Sequence, residues 1–227
     1  YFFKRWIDFQ IAGKHNVIDR TGESGTVSYF IPKEKTNKIS EWYRGRAYLF
    51  DNQSLEDDEP EDLIEVIEKA IQQYGIQLVL LDNLMTALDV GMGVDLYRAQ
   101  SKFVDKLVKM AKRQQVAVVL VVHPRKNSFG NDDNDSVSGS ADITNKVDVV
   151  MTYKRDKNLP ENERLLTVSK NRLTGKLAVG GKAIHLYFDE TSKRIGDTAV
   201  FTVPYGWEED TGGFISIEQL EQMEIPF

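Results

Sequence analysis

Few residues in this chain have chemical potential, and the first is a carboxylate at the end of an apolar run. Residues 75–88 read GIQLVLLDNLMTAL; apart from Gln77, positions 76–81 are apolar and lead directly into Asp82. A short continuous run of this kind reads as a strand buried on both faces, as in a parallel sheet. An acid has no place inside such a strand but fits its carboxyl end, the edge where open α/β sheets take ligands. There a carboxylate can hold Mg²⁺ through the ion's water shell; the plainer alternative is a capping Asp at a strand–helix junction. Asn83 is its polar neighbour. His123 stands at the end of a second apolar run, VAVVLVV at 116–122. Lys170 and Arg172 are two positions apart on a late strand, so their side chains share a face. Such a pair can neutralise charge on a transferring phosphoryl group, or be no more than an exposed basic strand.

Helices and strands must alternate to bring these groups to one edge. Phe2, Trp6, Phe9 and Gln10 recur at roughly helical spacing, with Ala12-Gly13 as a stop. Residues 15–37, rich in Gly, Ser and Lys, read as a loop; 41–44 as a short helix; 47–51 as a brief strand ending in a polar turn. After the acidic stretch 56–61, Leu63, Ile67, Ala70 and Ile71 mark an amphipathic helix that Gly75 ends. Ala99, Phe103, Leu107, Met110 and Ala111 mark another; Lys102, Lys106, Lys109 and Lys112 fall elsewhere on it and read as a solvated face rather than a binding stripe. Residues 125–135 form a polar loop, 138–141 begin a short helix, 147–153 and 164–169 are strands, and 183–188 pair with the latter as a late hairpin. The alternation predicts an α/β fold, a mostly parallel twisted sheet with helices on both faces.

Composition excludes several classes. The chain has 227 residues, 41% hydrophobic and 28% charged, as in an ordinary globular protein. It has no cysteine, so neither a disulfide framework nor a thiolate metal site is possible. No apolar run approaches the ~18 residues of a membrane span, and no signal pattern opens the chain, so a cytoplasmic place is expected, with no membrane partner. The net charge of -6 argues against a uniformly basic nucleic-acid binder but permits local cations on a phosphate backbone. Tyr1 in place of an initiator methionine reads as the start of a piece of a longer protein.

Four stretches, taken in order, resemble the RecA-like motor domain of the DnaB-family hexameric replicative DNA helicases, among them the phage primase-helicase type. LVLLDNL at 78–84 is similar to the Walker B strand, and VVLVVHPRK at 118–126 to the next strand and its sensor. SVSGSADITNKVDVVM at 136–151 resembles the DNA-binding loop and following strand, and LTVSKNRLTG at 166–175 the strand that bears the arginine finger. The resemblance covers about residues 1–195. It implies a RecA-like P-loop NTPase core with a C-terminal β-hairpin, residues 1–195 being an N-terminally truncated motor domain and 196–227 an acidic tail. The family's phosphate-binding Gly-x-x-x-x-Gly-Lys-Ser/Thr loop does not occur; AGK at 12–14 lacks its first glycine and its Ser/Thr. Truncation accounts for that, and a degenerate paralogue is the alternative.

The resemblance also implies roles. ATP and Mg²⁺ are the expected cofactors, with Asp82 as the metal-holding carboxylate and Asn83 and Arg155 near the nucleotide. His123 takes the position of a γ-phosphate sensor, while Lys170 and Arg172 serve a neighbouring subunit's site. Arg125, Lys126 and the small residues Ser138, Gly139 and Ser140 are the DNA-binding candidates, because small residues let backbone N–H groups approach phosphates. Single-stranded DNA, a homohexameric ring and a primase or helicase loader are the implied partners. The expected function is ATP-driven translocation on single-stranded DNA with unwinding, 5′ to 3′. The rival expectation is a non-catalytic RecA-like DNA-binding or assembly module.

Overall fold

The computed structural model describes residues 2–50, 63–83, 96–122, 141–198 and 205–207. Its elements run α1 (Phe2–Ala12), β1 (Ile18–Thr21), β2 (Val27–Phe30), α2 (Lys33–Tyr43), α3 (Leu63–Tyr74), β3 (Leu78–Leu81), α4 (Leu96–Gln114), β4 (Ala117–Leu120), α5 (Ala141–Lys146), β5 (Val149–Lys154), β6 (Glu163–Asn171), β7 (Ile184–Phe188) and β8 (Ile195–Gly196). The fold is mixed α/β. Two compact units divide it: Tyr1–Tyr48 with Lys157–Arg164 and Leu186–Phe227, and Leu49–Asp156 with Leu165–His185.

In the first unit Ile11, Ala12 and Ile39 form the core, with Ile7, Val17, Ile31, Trp42, Tyr43 and Trp207 packed around them. Residues 15–37, expected as a loop, hold the antiparallel hairpin β1–β2, registered Ile18↔Phe30 to Thr21↔Val27. Both faces of β1 are exposed, so no alternation of polar and apolar residues marks it. The expected short helix at 41–44 is the end of α2, which begins at Lys33 behind Pro32. Residues 47–50 of the expected brief strand are not a strand.

The last four carbonyls of α1, which a helix leaves without partners, are each met. The Gly13 N–H donates to Phe9 O at 3.1 Å. Arg194 Nε donates to Gln10 O at 2.7 Å, Trp207 Nε1 to Ile11 O at 2.8 Å, and Asn16 Nδ2 to Ala12 O at 2.8 Å. Gly13 has φ 71°, and a Cβ there would lie 2.9 Å from the Arg194 guanidinium, so both backbone angle and space require glycine. The predicted stop after α1 is therefore a helix end held from far along the chain.

In the second unit α3 and α4 pack apolar faces that overlap the expected ones, with Ile64 and Val104 buried though not expected and Ala70, Ala99 and Ala111 outside the buried core. Ile64, Ile67 and Ile71 meet Phe103, Val104, Leu107 and Met110, with Ile143 from α5. β3 and β4 are parallel, in register from Leu78↔Ala117 to Leu81↔Leu120. Val79, Leu81, Val118 and Leu120 pack on that core, while Leu78, Leu80 and Val119 are exposed. The expectation of strands buried on both faces with helices on each side thus fails among the described residues, where helices cover one face only. A continuous apolar run reports that both faces suit burial, not that both are covered. Among the described residues β1–β2, β5–β6 and β7–β8 are antiparallel, while β3–β4 is parallel, so a mostly parallel sheet is found only in part. β7 does neighbour β6 in strand order, as the late hairpin requires.

Candidate functional site

The parallel pairing of β3 and β4 puts their carboxyl ends side by side, tied by Val121 N–H donating to Leu81 O at 2.9 Å. Asp82 follows Leu81 directly and is exposed, so its carboxylate leaves the apolar run at the solvated end, where an ionised group incurs no burial cost. The Asp82–Asn83 peptide is cis. Among the described residues no cation pairs with Asp82. His123 lies outside the described residues, as do Arg125, Lys126, Ser138, Gly139 and Ser140. Arg155 follows the last residue of β5 and is exposed.

Lys170 lies on β6 while Arg172 falls one residue past its end, in the turn, so they do not alternate along one strand; both nonetheless meet the end of α5. Lys170 Nζ donates to Thr144 O at 2.5 Å and Asn145 O at 3.1 Å. The Arg172 guanidinium donates to Asn145 O at 2.8 Å and stands 3.9 Å from the Asp148 carboxylate. Cations at a helix C-terminus meet both unpartnered carbonyls and the negative end of the dipole. Burial pushes the Lys170 ammonium below the usual lysine value; repulsion from Arg172 adds to this and Asp148 offsets part of it. Arg172 is half exposed.

A second cluster has no signature in the sequence. Lys146 Nζ pairs with Asp142 at 3.0 Å and Asp105 at 3.3 Å, and donates to Ser101 O at 3.2 Å and to Ser101 Oγ. Ser101 Oγ in turn donates to Asp142. A serine hydroxyl beside a lysine has the composition of a nucleophile and its base, but the base must be neutral. Burial would lower Lys146, yet bonds to Asp142 and Asp105 outweigh it and hold the ammonium above its ordinary value. Lys146 therefore stays protonated, and the cluster braces α5 against α4. In the first unit a cavity of about 240 Å³ is lined by Asn16, Pro32, Glu34, Lys35, Lys38 and Trp207; none was singled out from the sequence. Partners up to 196 positions apart, as Trp207 is from Ile11, leave no local pattern to read.

A family model described as an AAA domain matches residues 31–128. No curated protein matches the chain. Among solved structures the chain is similar to a DnaB-like replicative helicase, described together with its interactions with primase, at 18% identity and a TM-score of 0.48. That match covers 58% of this chain and 35% of the helicase. It is similar at the same identity and TM-score to a second structure, described as an ATPase domain, covering 58% of this chain and 50% of that one. The chain thus spans between a third and a half of the lengths of these structures. The AAA domain match takes in LVLLDNL and VVLVVHPRK.

Proposed function

We propose that this chain is part of an ATP-dependent replicative DNA helicase, with residues 1–195 as a RecA-like motor domain and 196–227 as an acidic appendage. The observation that carries the reading is Asp82, exposed at the carboxyl end of β3 beside parallel β4, within the stretch that the AAA domain model matches. Mg²⁺ bound with a nucleotide takes one or two carboxylates and completes its shell with water and phosphate oxygens. Among the described residues no three His, Cys, Asp or Glu are grouped to hold a metal unaided. A single carboxylate that shares the ion with a nucleotide is the site these residues fit. Magnesium would there neutralise charge on the β- and γ-phosphates; Asp82 anchors the ion's water shell, with Asn83 and Arg155 near the nucleotide.

The remaining assignments follow the same reading. His123 senses the γ-phosphate. Arg125, Lys126 and Ser138–Gly139–Ser140 hold single-stranded DNA, which moves 5′ to 3′ through a homohexamer in the cytoplasm, with a primase or loader as partner. Among the described residues no helix is long and apolar enough to cross a membrane. Arg172, with Lys170, completes the adjacent subunit's site. One observation favours the rival, a non-catalytic RecA-like module. Both cations already donate to the α5 carbonyls, a structural task that needs no neighbour.

The test is made in the whole protein. Asp82→Asn should leave single-stranded DNA binding in place and cut Mg²⁺-dependent ATP turnover by roughly 100-fold or more, since metal-borne charge stabilisation is worth several kcal/mol. Turnover at the unsubstituted level would overturn the assignment, and absence of ATPase activity in the unsubstituted protein would favour the non-catalytic module.

A further inference from the structure

α4 carries a row of one sign in a chain whose net charge is -6. Its cations are Arg98, Lys102, Lys106, Lys109, Lys112 and Arg113, against a single acid, Asp105. Lys102, Lys106, Lys109 and Arg113 recur at i, i+4, i+7 and i+11, one line along a helix, and all are exposed. The opposite face is buried through Phe103, Val104, Leu107 and Met110, which fixes the row outward.

A merely solvated helix face mixes signs a turn apart, because opposite charges at i, i+4 support the helix and like charges oppose it. Along this row the successive helix positions Lys102, Lys106, Lys109 and Arg113 are alike in sign. Asp105, in the sequence a candidate to relieve it, is instead 3.3 Å from Lys146 of α5. From α3, Glu68 meets only the far end, at Arg113. Lys102, Lys109 and Lys112 have no ion pair among the described residues. The helix therefore keeps an unfavourable charge pattern that a polyanion would relieve.

We infer that this face of α4 binds the phosphate backbone of a nucleic acid, a contact surface separate from the DNA-binding candidates above and independent of the helicase reading. From Lys102 to Arg113 the row spans about 16 Å at 1.5 Å per residue, enough to run beside roughly four or five phosphates at 3.4 Å each. The cations are mostly lysines, which meet phosphate as point charges. Among the described residues of the row no apolar side chain is exposed, so it offers the cations alone that a phosphate backbone takes.

The experiment uses the chain itself, a fluorescent 20-nucleotide oligothymidylate and a glutamate homopeptide of equal charge. The variant carries Lys102→Gln, Lys106→Gln, Lys109→Gln and Lys112→Gln. A control of equal charge change carries Lys33→Gln, Lys38→Gln, Lys157→Gln and Lys182→Gln. The α4 variant should bind the oligonucleotide at least about 10-fold more weakly at low salt, and its slope of log K on log salt should fall by about 0.7 for each phosphate that no longer meets a cation. The control should change by less than about 3-fold on the same scale. The α4 variant should melt no lower than the parent, since like-charge pairs are removed; if it melts lower, Lys102→Gln with Lys112→Gln alone should give about half the slope change. Equal weakening by both sets, no binding by the parent, or equal affinity for the glutamate peptide would each overturn the inference.

Discussion

Removing the Arg194 guanidinium should unfasten the end of α1 from the residue just ahead of β8 that caps it. Arg194 is 7% exposed and donates through Nε to Gln10 O at 2.7 Å and through a terminal nitrogen to Ile11 O at 3.5 Å. Its guanidinium also lies 4.5 Å from the Tyr205 ring centroid. In Arg194→Met the apolar stem remains while the donors go. The charge-assisted bond to Gln10 O is worth about 1.5–3 kcal/mol, the favourable charge at the helix end about 0.3–1, and the ring contact about 0.5–1. Ile11 O keeps its bond from Trp207 Nε1 at 2.8 Å, so the weak second bond is left out. The sum is about 2–5 kcal/mol, or roughly a 5–20 °C fall in Tm for a chain of this size. Urea unfolding followed by tryptophan fluorescence reads the same loss, since Trp42 and Trp207 lie around the first unit's core. Arg194→Lys should fall between, keeping the charge but not the fork. A change of less than about 0.5 kcal/mol in Arg194→Met, the range of an ordinary surface substitution, would refute the reasoning.

Acid should loosen the brace between α4 and α5. Hydrogen bonds from Ser101 and then from Lys146 hold the Asp142 carboxyl below its ordinary value of 3.8. The unfolded chain therefore takes up this proton first, so the stability it lends is complete above the unfolded value and is lost as pH falls through the lower folded one; Asp142→Asn should flatten that acid limb, and an unchanged limb would count against the bridge. Arg172→Ala in the whole protein should lower ATP turnover by ~10³-fold while sparing nucleotide binding if it serves a neighbour's γ-phosphate. Normal turnover with a lowered Tm would instead assign it to the end of α5 alone.

Local pattern was enough to place α3, α4, β3 and β4, because their apolar faces repeat at helical or strand period within one segment. It also placed Asp82 at a strand's carboxyl end, while Arg172, expected on a strand with Lys170, lies just past the end of β6. Sequence alone missed β1, β2 and most of α2, whose exposed or polar residues give little periodic signal. It assumed cover on both faces of β3 and β4, where burial depends on what packs there.

The physical division is one of distance along the chain. Periodicity, charge and turn chemistry act between residues a few positions apart, and the sequence by itself determined the amphipathic helices, the paired apolar strands and the acidic residue that ends the first of them. Only the tertiary structure decided which groups satisfy the ends of helices: Arg194 and Trp207 for α1, and Lys170 and Arg172 for α5. It also decided that Asp105 turns to Lys146, leaving the lysine row of α4 without its nearest carboxylate. Backbone carbonyls accept from any donor that the fold brings within reach, so no local pattern names the donor.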